Sequence, residues 1–515
     1  MAIMRSRAST PEAGTVGFEP VSVSFANRTI PEAMASAAAA ARGRKPLRSR
    51  KEKLPIAEEV DAALVRNLPA GGPTPPAAMA PEAAAPPQPS PPPAVTFDGG
   101  VDDGTSIPPD TAGVVNADFV FNPLNNNVHI FDRNGAPVSQ LTLDQFWNVF
   151  PLPMNAFDPR AVYDPFERRF IFVSTANAER PDSSLLIAVS ATDDPTGNWI
   201  TGFVRVDPAQ QGEVWLDYPS VGFTEDKITV QVNLFTLVGN NFAGSSIYVW
   251  DKHQLYNPPH TPVVRLFVLT DQGGTQVPAV THDPGQSTQF LVSRWTGNSN
   301  GSGFYNIHEI TGSVANGTVA LNQVGFLETP GTTWATRASG DFAPQQGTSQ
   351  RIDAGDDRIL SVVCRDGSLW FSHTAFLPAG GPTRTAAQWV QATTNASTLQ
   401  QLGRVDDPSG GAFFAFPTIA VNGANDALLG FSRFSATTFA SCGYALRRAG
   451  DPAGQMRTPH VYGPGGSTYF KTFGGTDNRW GDYSNTQVDP VDDRSFWTVQ
   501  ERASATQNFW ATQWA

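Results

Sequence analysis

Short apolar runs separated by turn residues dominate the chain from about residue 100 onwards. The runs are rich in Val, Ile, Phe, Tyr, Trp and Thr, and no apolar stripe of helical period interrupts them. Runs of this length and composition, bounded by Gly, Asn, Asp and Pro, are typical of strands. The pattern therefore predicts an all-β fold. Examples are 169–174 (RFIFVS), 185–190 (LLIAVS), 228–232 (ITVQV), 247–251 (IYVWD) and 290–293 (FLVS).

One strand phrase recurs at intervals near 60 residues. Its form, Pro-x4-Asp-Pro, is complete at Pro159 (PRAVYDP) and Pro278 (PAVTHDP), and looser copies begin at Pro219, Pro417 and Ser484. The successive intervals are 60, 59, 139 and 67 residues. The longest interval spans two periods, so we expect a further copy within residues 351–363. Each copy is followed by two or three more strand runs, and four strands per repeat make one blade of a β-propeller.

With a first copy near residue 110, the copies number seven. The sequence therefore predicts a single β-propeller of seven four-stranded blades over residues 96–515, with six or eight blades as alternatives. The last blade, residues 480–515, has room for only three strands. Because a propeller closes its ring to avoid open sheet edges, we expect a strand at residues 94–97 to supply the fourth.

The first 95 residues have a different composition and predict a disordered leader. Ala, Pro, Arg and Glu dominate them, and all 12 Trp lie beyond residue 100. A segment of this kind cannot bury enough apolar surface to offset its ordering entropy. Within it, residues 55–68 (PIAEEVDAALVRNL) carry apolar side chains at spacing four and predict a short helix. Residues 69–93 predict an extended Pro/Ala linker.

The leader and the rest of the chain also differ in net charge. Residues 1–100 hold 11 basic and 9 acidic side chains, which leaves 24 basic and 38 acidic in the rest, a formal charge of −14. An acidic domain repels phosphate backbones, so nucleic acid is disfavoured as its partner. Residues 42–53 contain seven basic side chains. This run is either a solvated charge run or a contact for nucleic acid or anionic lipid.

Other signals narrow the class of protein. No apolar stretch approaches the roughly 20 residues of a membrane span, and no classical signal peptide precedes the leader. Cys364 and Cys442 fit no metal pattern. They are either ordinary strand residues or one disulfide. His-rich zinc motifs and Gly-rich phosphate loops are missing from the sequence.

Polar and aromatic residues precede the first strand of several predicted blades. In a propeller these connections open on one face, and ligands commonly sit at such a mouth. The groups come from blades 1, 2, 3 and 7, which adjoin in a closed ring, so we expect them to form one crescent. We call this set the mouth cluster. Its members are Asp110, Asp158, Arg160, Asp217, Tyr218, Arg479, Trp480, Asp482 and Tyr483.

The mouth cluster suits three kinds of chemistry and one structural role. Asp158, Asp217 and Asp482 are candidate acids and bases for cleaving a glycosidic bond. Alternatively, the polar groups would hydrogen-bond a sugar or an acidic group while Trp480 stacks on the ring. Several carboxylates would hold Ca²⁺, although no other cofactor is expected. The structural interpretation is that each Asp caps the turn before its strand. It is the most economical one because the motif repeats with the blades.

Five phrases resemble a group of bacterial β-propeller proteins described as sialidase-like or BNR-repeat proteins. The resemblance covers most of residues 105–515 and implies the propeller fold, without a common activity. The chain departs from true sialidases in two places. Ile107-Pro108 lacks the Arg of a Phe-Arg-Ile-Pro phrase, and residues 365–370 (RDGSLW) match the Ser-x-Asp-x-Gly-x-Thr-Trp box only in part. The phrases are 157–174, 185–199, 215–223, 416–422 and 479–490.

These observations lead to three hypotheses of function. The first is a ligand-binding or scaffolding propeller that recognises a glycan or another small polar ligand at the channel mouth. The second is a polysaccharide-cleaving enzyme, a glycoside hydrolase or lyase, that uses the mouth carboxylates. The third is a protein-interaction module whose partner binds the leader or a propeller face. The resemblance implies an extracellular or cell-surface location, and a cytoplasmic one stays open because no classical signal peptide is visible.

Overall fold

Nearly all of the regular structure is β, as the strand patterns predicted. Among the described residues, two five-residue helices interrupt the strands, α1 (Leu143–Trp147) and α2 (Lys252–Tyr256). The predicted helix at 55–68 and the basic run at 42–53 lie outside the described residues. The computed structural model describes residues 13–17, 21–24, 87–150, 154–206, 212–257, 262–270 and 274–515.

The strands are short and follow one another closely along the chain. Up to residue 269 they are β1 (Ala13–Gly17), β2 (Val21–Ser24), β3 (Phe97–Val101), β4 (Val114–Val115), β5 (Phe119–Pro123), β6 (Asn127–Asp132), β7 (Pro137–Thr142), β8 (Ala156–Asp164), β9 (Arg169–Ala176), β10 (Ser184–Ser190), β11 (Asn198–Arg205), β12 (Val214–Phe223), β13 (Lys227–Thr236), β14 (Phe242–Asp251) and β15 (Val263–Leu269). Beyond it they are β16 (Val277–Pro278), β17 (Val280–Thr281), β18 (Gln289–Ser299), β19 (Ser302–Thr311), β20 (Ala320–Pro330), β21 (Ser361–Arg365), β22 (Ser368–Leu377), β23 (Arg384–Thr393), β24 (Leu399–Val405), β25 (Phe413–Val421), β26 (Ala427–Ser435), β27 (Thr438–Arg447), β28 (His460–Gly463), β29 (Asn485–Val488), β30 (Phe496–Ala503) and β31 (Trp510–Trp514).

The described strands form six sheets, and four of them have four strands. Most neighbours in the sheets are also neighbours in sequence and pair antiparallel. In the ten-stranded sheet the short strand β17 runs parallel to both β12 and β21 and so joins two antiparallel meanders. An all-β architecture of this kind is consistent with a β-propeller. The orders are β4-β5-β6-β7, β2-β11-β10-β9-β8, β16-β18-β19-β20, β25-β26-β27-β28, β29-β30-β31-β3 and β1-β15-β14-β13-β12-β17-β21-β22-β23-β24.

The recurring Pro phrase marks a bulge at the start of the first strand of a meander. The register shifts between Phe157 and Arg160 in β8, and similar shifts occur in β12 and β25. In each case the residue before the Pro has a left-handed backbone, with φ of 54° at Asp158, 52° at Tyr218 and 55° at Phe416. Such values are uncommon outside glycine, so the phrase repeats a specific backbone geometry along the chain.

In two copies of the phrase, those at Pro159 and Ser484, the Asp near the end has a structural role at the opposite end of the strand. Asp164 accepts a hydrogen bond from the Phe166 amide at 2.9 Å, and Asp489 accepts one from the Val491 amide at 3.0 Å. Both arrangements cap a turn, which is a common use of Asp. The Asp of these copies therefore marks the end of a strand.

Segments before residue 105 cover edges of the sheets. β1 pairs with β15 and β2 pairs with β11, while Pro89 bridges to Thr458. β3 pairs with β31 and is thus the fourth strand of the last sheet. It lies at 97–101, three residues beyond the expected position at 94–97. The disordered leader and its boundary near residue 95 stay predictions.

The cores between sheets are built from large side chains. Trp199, Trp215, Trp250 and Trp389 are among those with no solvent exposure. The two cysteines are both buried and free, so the disulfide alternative is wrong. Neither helix of the described residues is long and apolar enough to cross a membrane.

Candidate functional site

Several members of the mouth cluster meet in a closed circuit of hydrogen bonds. The Asp482 amide donates to Asp110 Oδ1 at 3.1 Å, and Asn125 Nδ2 donates to Asp110 Oδ2 at 2.6 Å. The Asp158 amide donates to Asn125 Oδ1 at 2.8 Å, and the Tyr218 amide donates to Asp158 Oδ2 at 3.0 Å. The Tyr218 hydroxyl closes the circuit on the Asp482 carbonyl at 3.2 Å. The circuit joins the first, second, third and last meanders, the four that the crescent hypothesis named.

The left-handed residues of the bulges explain the direction of these bonds. Each turns its amide towards a side-chain oxygen of the preceding meander. The same bond occurs away from the mouth cluster, where the Thr275 amide donates to Asn233 Oδ1 at 2.9 Å and the Phe416 amide to Thr374 Oγ1 at 3.0 Å. Because the contact recurs around the molecule, it favours the structural interpretation of Asp110 and Asp158.

Three arginines lie beside the circuit and differ in their partners. Arg479 Nη2 donates to both carboxylate oxygens of Asp482, at 2.9 and 3.0 Å. Arg358 pairs with Asp356 at 2.6 Å. No carboxylate of the described residues lies within 4.0 Å of the Arg160 guanidinium. Its Cζ lies 3.3 Å from the centroid of the Tyr483 ring instead.

Burial raises the pKa values of two carboxyl groups in and beside this cluster, those of Asp110 and Glu501. Burial, together with the nearby Asp482 and Asp158, raises the pKa of Asp110 well above its ordinary value. A hydrogen bond between the Asp110 and Asp158 carboxyl groups adds to the increase. Burial also raises the pKa of Glu501, which accepts a hydrogen bond from the Gly481 amide at 2.6 Å. Asp110 therefore holds a proton more readily than an exposed Asp does.

The aromatic members of the cluster present no face to solvent. Trp480 is 0% exposed and donates its indole N–H to Ser432 Oγ at 3.1 Å. Tyr218 and Tyr483 are buried edge to face, with their ring centroids 5.6 Å apart. Asp217 is buried in β12 opposite Asn233. The structure thus gathers the cluster in the interior, beneath the surface of this face.

Two long connections cover the mouth, residues 331–360 and 464–484. Asn478 Nδ2 donates to the Arg351 carbonyl at 2.8 Å, and the Tyr469 amide donates to Gln345 Oε1 at 2.8 Å. These bonds tie one connection to the other over Trp480. The sequence analysis did not predict that these two connections bury the mouth cluster, because neither connection has a regular pattern of hydrophobic residues.

A central cavity lies on the inner side of the cluster. Its volume is about 80 Å³, and the first strands of the meanders line it. Of the nine predicted site residues, Arg160 alone lines it. The sequence analysis missed the other polar residues that line it, Tyr163, Ser220, His282, Ser361, Asn485, Thr486 and Gln487. Within the described part of the chain, no Asp or Glu lines the cavity, so its chemistry differs from that of the mouth cluster.

His282 lies towards the other end of the cavity. It is half-buried, as are Val280 and Pro490 beside it. Burial, with the positive charge of Arg365 nearby, lowers the pKa of His282 to about 4. The imidazole is therefore neutral at neutral pH, and the partial exposure of these residues shows that this end of the cavity reaches solvent.

The described residues contain no group of three or more His, Cys, Asp or Glu side chains arranged to hold a metal ion. The carboxylates of Asp110, Asp158 and Asp482 accept hydrogen bonds from amide groups or from Arg479. This use differs from the convergence of six to eight oxygens that Ca²⁺ takes.

Comparisons with known proteins find solved structures that resemble this chain only at a low level. No protein-family model and no curated protein matches the chain. A mutant apocarotenoid oxygenase of Synechocystis is 12% identical, with 68% of this chain and 74% of that one aligned and a TM-score of 0.38. A protein of unknown function from Dyadobacter fermentans is 11% identical, with 70% and 94% aligned and a TM-score of 0.37. A Trypanosoma rangeli sialidase is 9% identical, with 81% and 58% aligned and a TM-score of 0.36. At this level of similarity no activity is transferred.

Proposed function

We propose that the chain is a closed seven-bladed β-propeller that binds a small polar ligand in its central channel. The observation that carries the proposal is the central cavity itself, which contains Arg160 without a carboxylate partner among the described residues. A concave site with apolar walls and a few convergent polar groups is the usual form of a small-molecule site.

The contacts between first strands support a closed ring. β4 contacts β8, β8 contacts β12, β12 contacts β17, β17 contacts β21, β21 contacts β25, β25 contacts β29, and β29 contacts β4. This succession returns to its starting strand. The pairing of β3 with β31 supplies the fourth strand of the last blade from a segment that precedes the first one, which is a common way to close a propeller.

The environment of the carboxylates favours binding over catalysis. A general acid or base must come within hydrogen-bond reach of its substrate. Asp110, Asp158 and Asp482 are buried under the long connections and hold their neighbours in place. Trp480 and Tyr218 offer no open ring for a sugar. We therefore favour a ligand small enough for the channel over a glycan chain or a polysaccharide substrate.

The test is to fill the channel and measure binding. We would screen mixtures of small polar compounds against the full chain by saturation-transfer NMR, and repeat the screen with Val280→Phe, which places a bulky ring in the cavity. Val238→Phe is the matched control because Val238 is 88% exposed. We expect hits that bind wild type and Val238→Phe alike and bind Val280→Phe at least about tenfold more weakly.

Two results would overturn the proposal. One is an absence of hits, or hits that bind Val280→Phe as well as wild type. The other is cleavage of an oligosaccharide that disappears in Asp158→Asn, since that would make the mouth carboxylates catalytic.

A further inference from the structure

We infer that the channel ligand is a small carboxylate with a short aliphatic chain, held by Arg160 and Ser220. The inference rests on the proposed channel function and names the class of ligand that the channel takes. It follows from four features of the cavity: an unpaired cation, a fixed guanidinium plane, an unpaired hydroxyl and apolar walls.

Arg160 is the cation of this region that lacks a counter-ion among the described residues. Arg358 and Arg479 each pair with a carboxylate, at 2.6 and 2.9 Å respectively. Arg160 has no ion pair with any described residue, and no Asp or Glu of the described residues lines the cavity. A half-buried positive charge in a site of low polarity is stabilised by an anion. The charge of the channel therefore favours an anionic ligand.

The neighbours of Arg160 fix its guanidinium plane. Nε donates to the Pro219 carbonyl at 3.2 Å. The guanidinium carbon lies 3.3 Å from the centroid of the Tyr483 ring and 5.2 Å from that of Tyr218. Neither Nη atom has a hydrogen-bond partner among the described residues. A guanidinium with both Nη groups available binds a carboxylate through two parallel bonds.

Ser220 supplies a second donor next to this group. It follows Pro219, whose carbonyl orients Arg160, and it lines the same cavity. Its hydroxyl is buried and has no hydrogen-bond partner among the described residues. An unmet buried hydroxyl costs free energy, which a ligand oxygen would recover. The hydroxyl and the guanidinium together suit an oxyanion.

The walls of the channel determine which group can be attached to the carboxylate of the ligand. They carry Val162, Val221, Val280, Val363 and Val488 from five different strands. The polar residues of the same strands that also line the cavity have hydrogen-bond partners within the protein; these residues are Ser361, Asn485, Thr486 and Gln487. Such walls gain from contact with methylene groups. A volume of about 80 Å³ holds about five to eight water-sized groups. A carboxylate with two to four carbons in total fits this space, and a sugar does not.

The test compares anions with neutral molecules of the same shape. Acetate, propionate and butyrate would be titrated into the full chain, with butyramide, 1-butanol and inorganic phosphate as comparison ligands, and binding followed by calorimetry and ligand-observed NMR. The variants are Arg160→Gln and Ser220→Ala. The matched control is Arg180→Gln, because Arg180 is exposed and pairs with its neighbour Asp182.

We expect butyrate to bind at least about tenfold more tightly than butyramide, and Arg160→Gln to remove at least about tenfold of that affinity. Ser220→Ala should weaken butyrate several-fold, and Arg180→Gln should change nothing. If Arg160→Gln does not fold, Ser220→Ala decides alone, and wild-type affinity for butyrate in that variant overturns the inference.

The experiment distinguishes failure of the carboxylate inference from failure of the proposed channel function. If butyramide binds as well as butyrate and Val280→Phe abolishes both, the channel function stands and the carboxylate inference is wrong. If inorganic phosphate binds more tightly than butyrate, the aliphatic selectivity is wrong. If no compound binds in a manner sensitive to Val280→Phe, both the inference and the proposed function are wrong.

Discussion

The Tyr218 hydroxyl donates a hydrogen bond to the main-chain carbonyl of Asp482 over 3.2 Å. The two residues are 264 positions apart in sequence. Tyr483 makes a similar bond to the Pro159 carbonyl at 2.9 Å. These two phenols connect early meanders to the last one, so the side chains that resemble a binding site in sequence act as ties between distant parts of the chain.

Removing either phenol should weaken the fold slightly. Tyr218→Phe and Tyr483→Phe keep the ring and lose the donor, and we expect each to lower the free energy of unfolding by about 0.5–1.5 kcal/mol. Urea denaturation followed by circular dichroism measures the change. Two variants as stable as wild type would show that these bonds contribute nothing.

Replacing Glu501 should change the pH dependence of stability. Burial raises the pKa of Glu501 well above 4.5 in the folded chain, so the folded state binds more protons than the unfolded state above pH 4.5. Stability from this group therefore falls as pH rises from 4.5 through the folded pKa, by about 1.4 kcal/mol for each pH unit between the unfolded and folded pKa values. Glu501→Gln should gain stability relative to wild type as pH rises, measured by denaturation between about pH 4.5 and 8. A constant difference would contradict this account.

A buried ion pair between the second and third meanders should be sensitive to loss of one partner. Lys252 Nζ lies 3.0 Å from Asp164 Oδ2, and both side chains are 0% exposed. Lys252→Met leaves the Asp164 carboxylate buried without its cation, and we expect a loss of about 3–5 kcal/mol.

The control for this variant is an exposed pair on the second meander. Arg168 pairs with Asp193 and is largely exposed, so solvent screens this pair and Arg168→Met should lower stability far less than Lys252→Met does. Thermal and urea unfolding of both variants would measure the contrast. Equal losses would mean that burial does not govern the strength of these pairs.

The strand that completes the last sheet should tolerate no added methyl group at Gly100. A Cβ there would lie 2.1 Å from Leu124 Cδ1 and 3.1 Å from His129 Nε2. We expect Gly100→Ala to cost about 1–3 kcal/mol through overpacking. Gly450→Ala is the matched control, because a Cβ at Gly450 meets no atom within 4 Å. Equal stability of the two variants would argue against the packing of β3.

More of the fold than of the candidate site could be predicted from the sequence. The Pro phrase at 159, 219 and 417 was visible because a bulge places the residue before Pro in a left-handed backbone at each of these strands. The position of β3 was missed by three residues, since its pairing is set by β31, more than 400 positions away. Strand ends depend on such distant partners, and local patterns carry little information about them.

The sequence predicted which residues of the mouth cluster lie together, but it did not predict that they are buried. The sequence grouped Asp110, Asp158, Tyr218 and Asp482 because the repeat places them at equivalent strand starts, and hydrogen bonds connect them in the structure. It did not indicate that residues 331–360 and 464–484 would bury them. Ser220 carried no signal at all, since one Ser in a strand is common and its unpaired hydroxyl is a property of the assembled channel.

The most direct test of the account is a crystal structure of the full chain grown with butyrate. We predict butyrate in the central channel, with its carboxylate oxygens about 2.7–3.0 Å from the Arg160 Nη atoms and the Ser220 hydroxyl and its carbon chain between the valines. A channel that holds only water, or butyrate bound elsewhere on the molecule, would contradict the account.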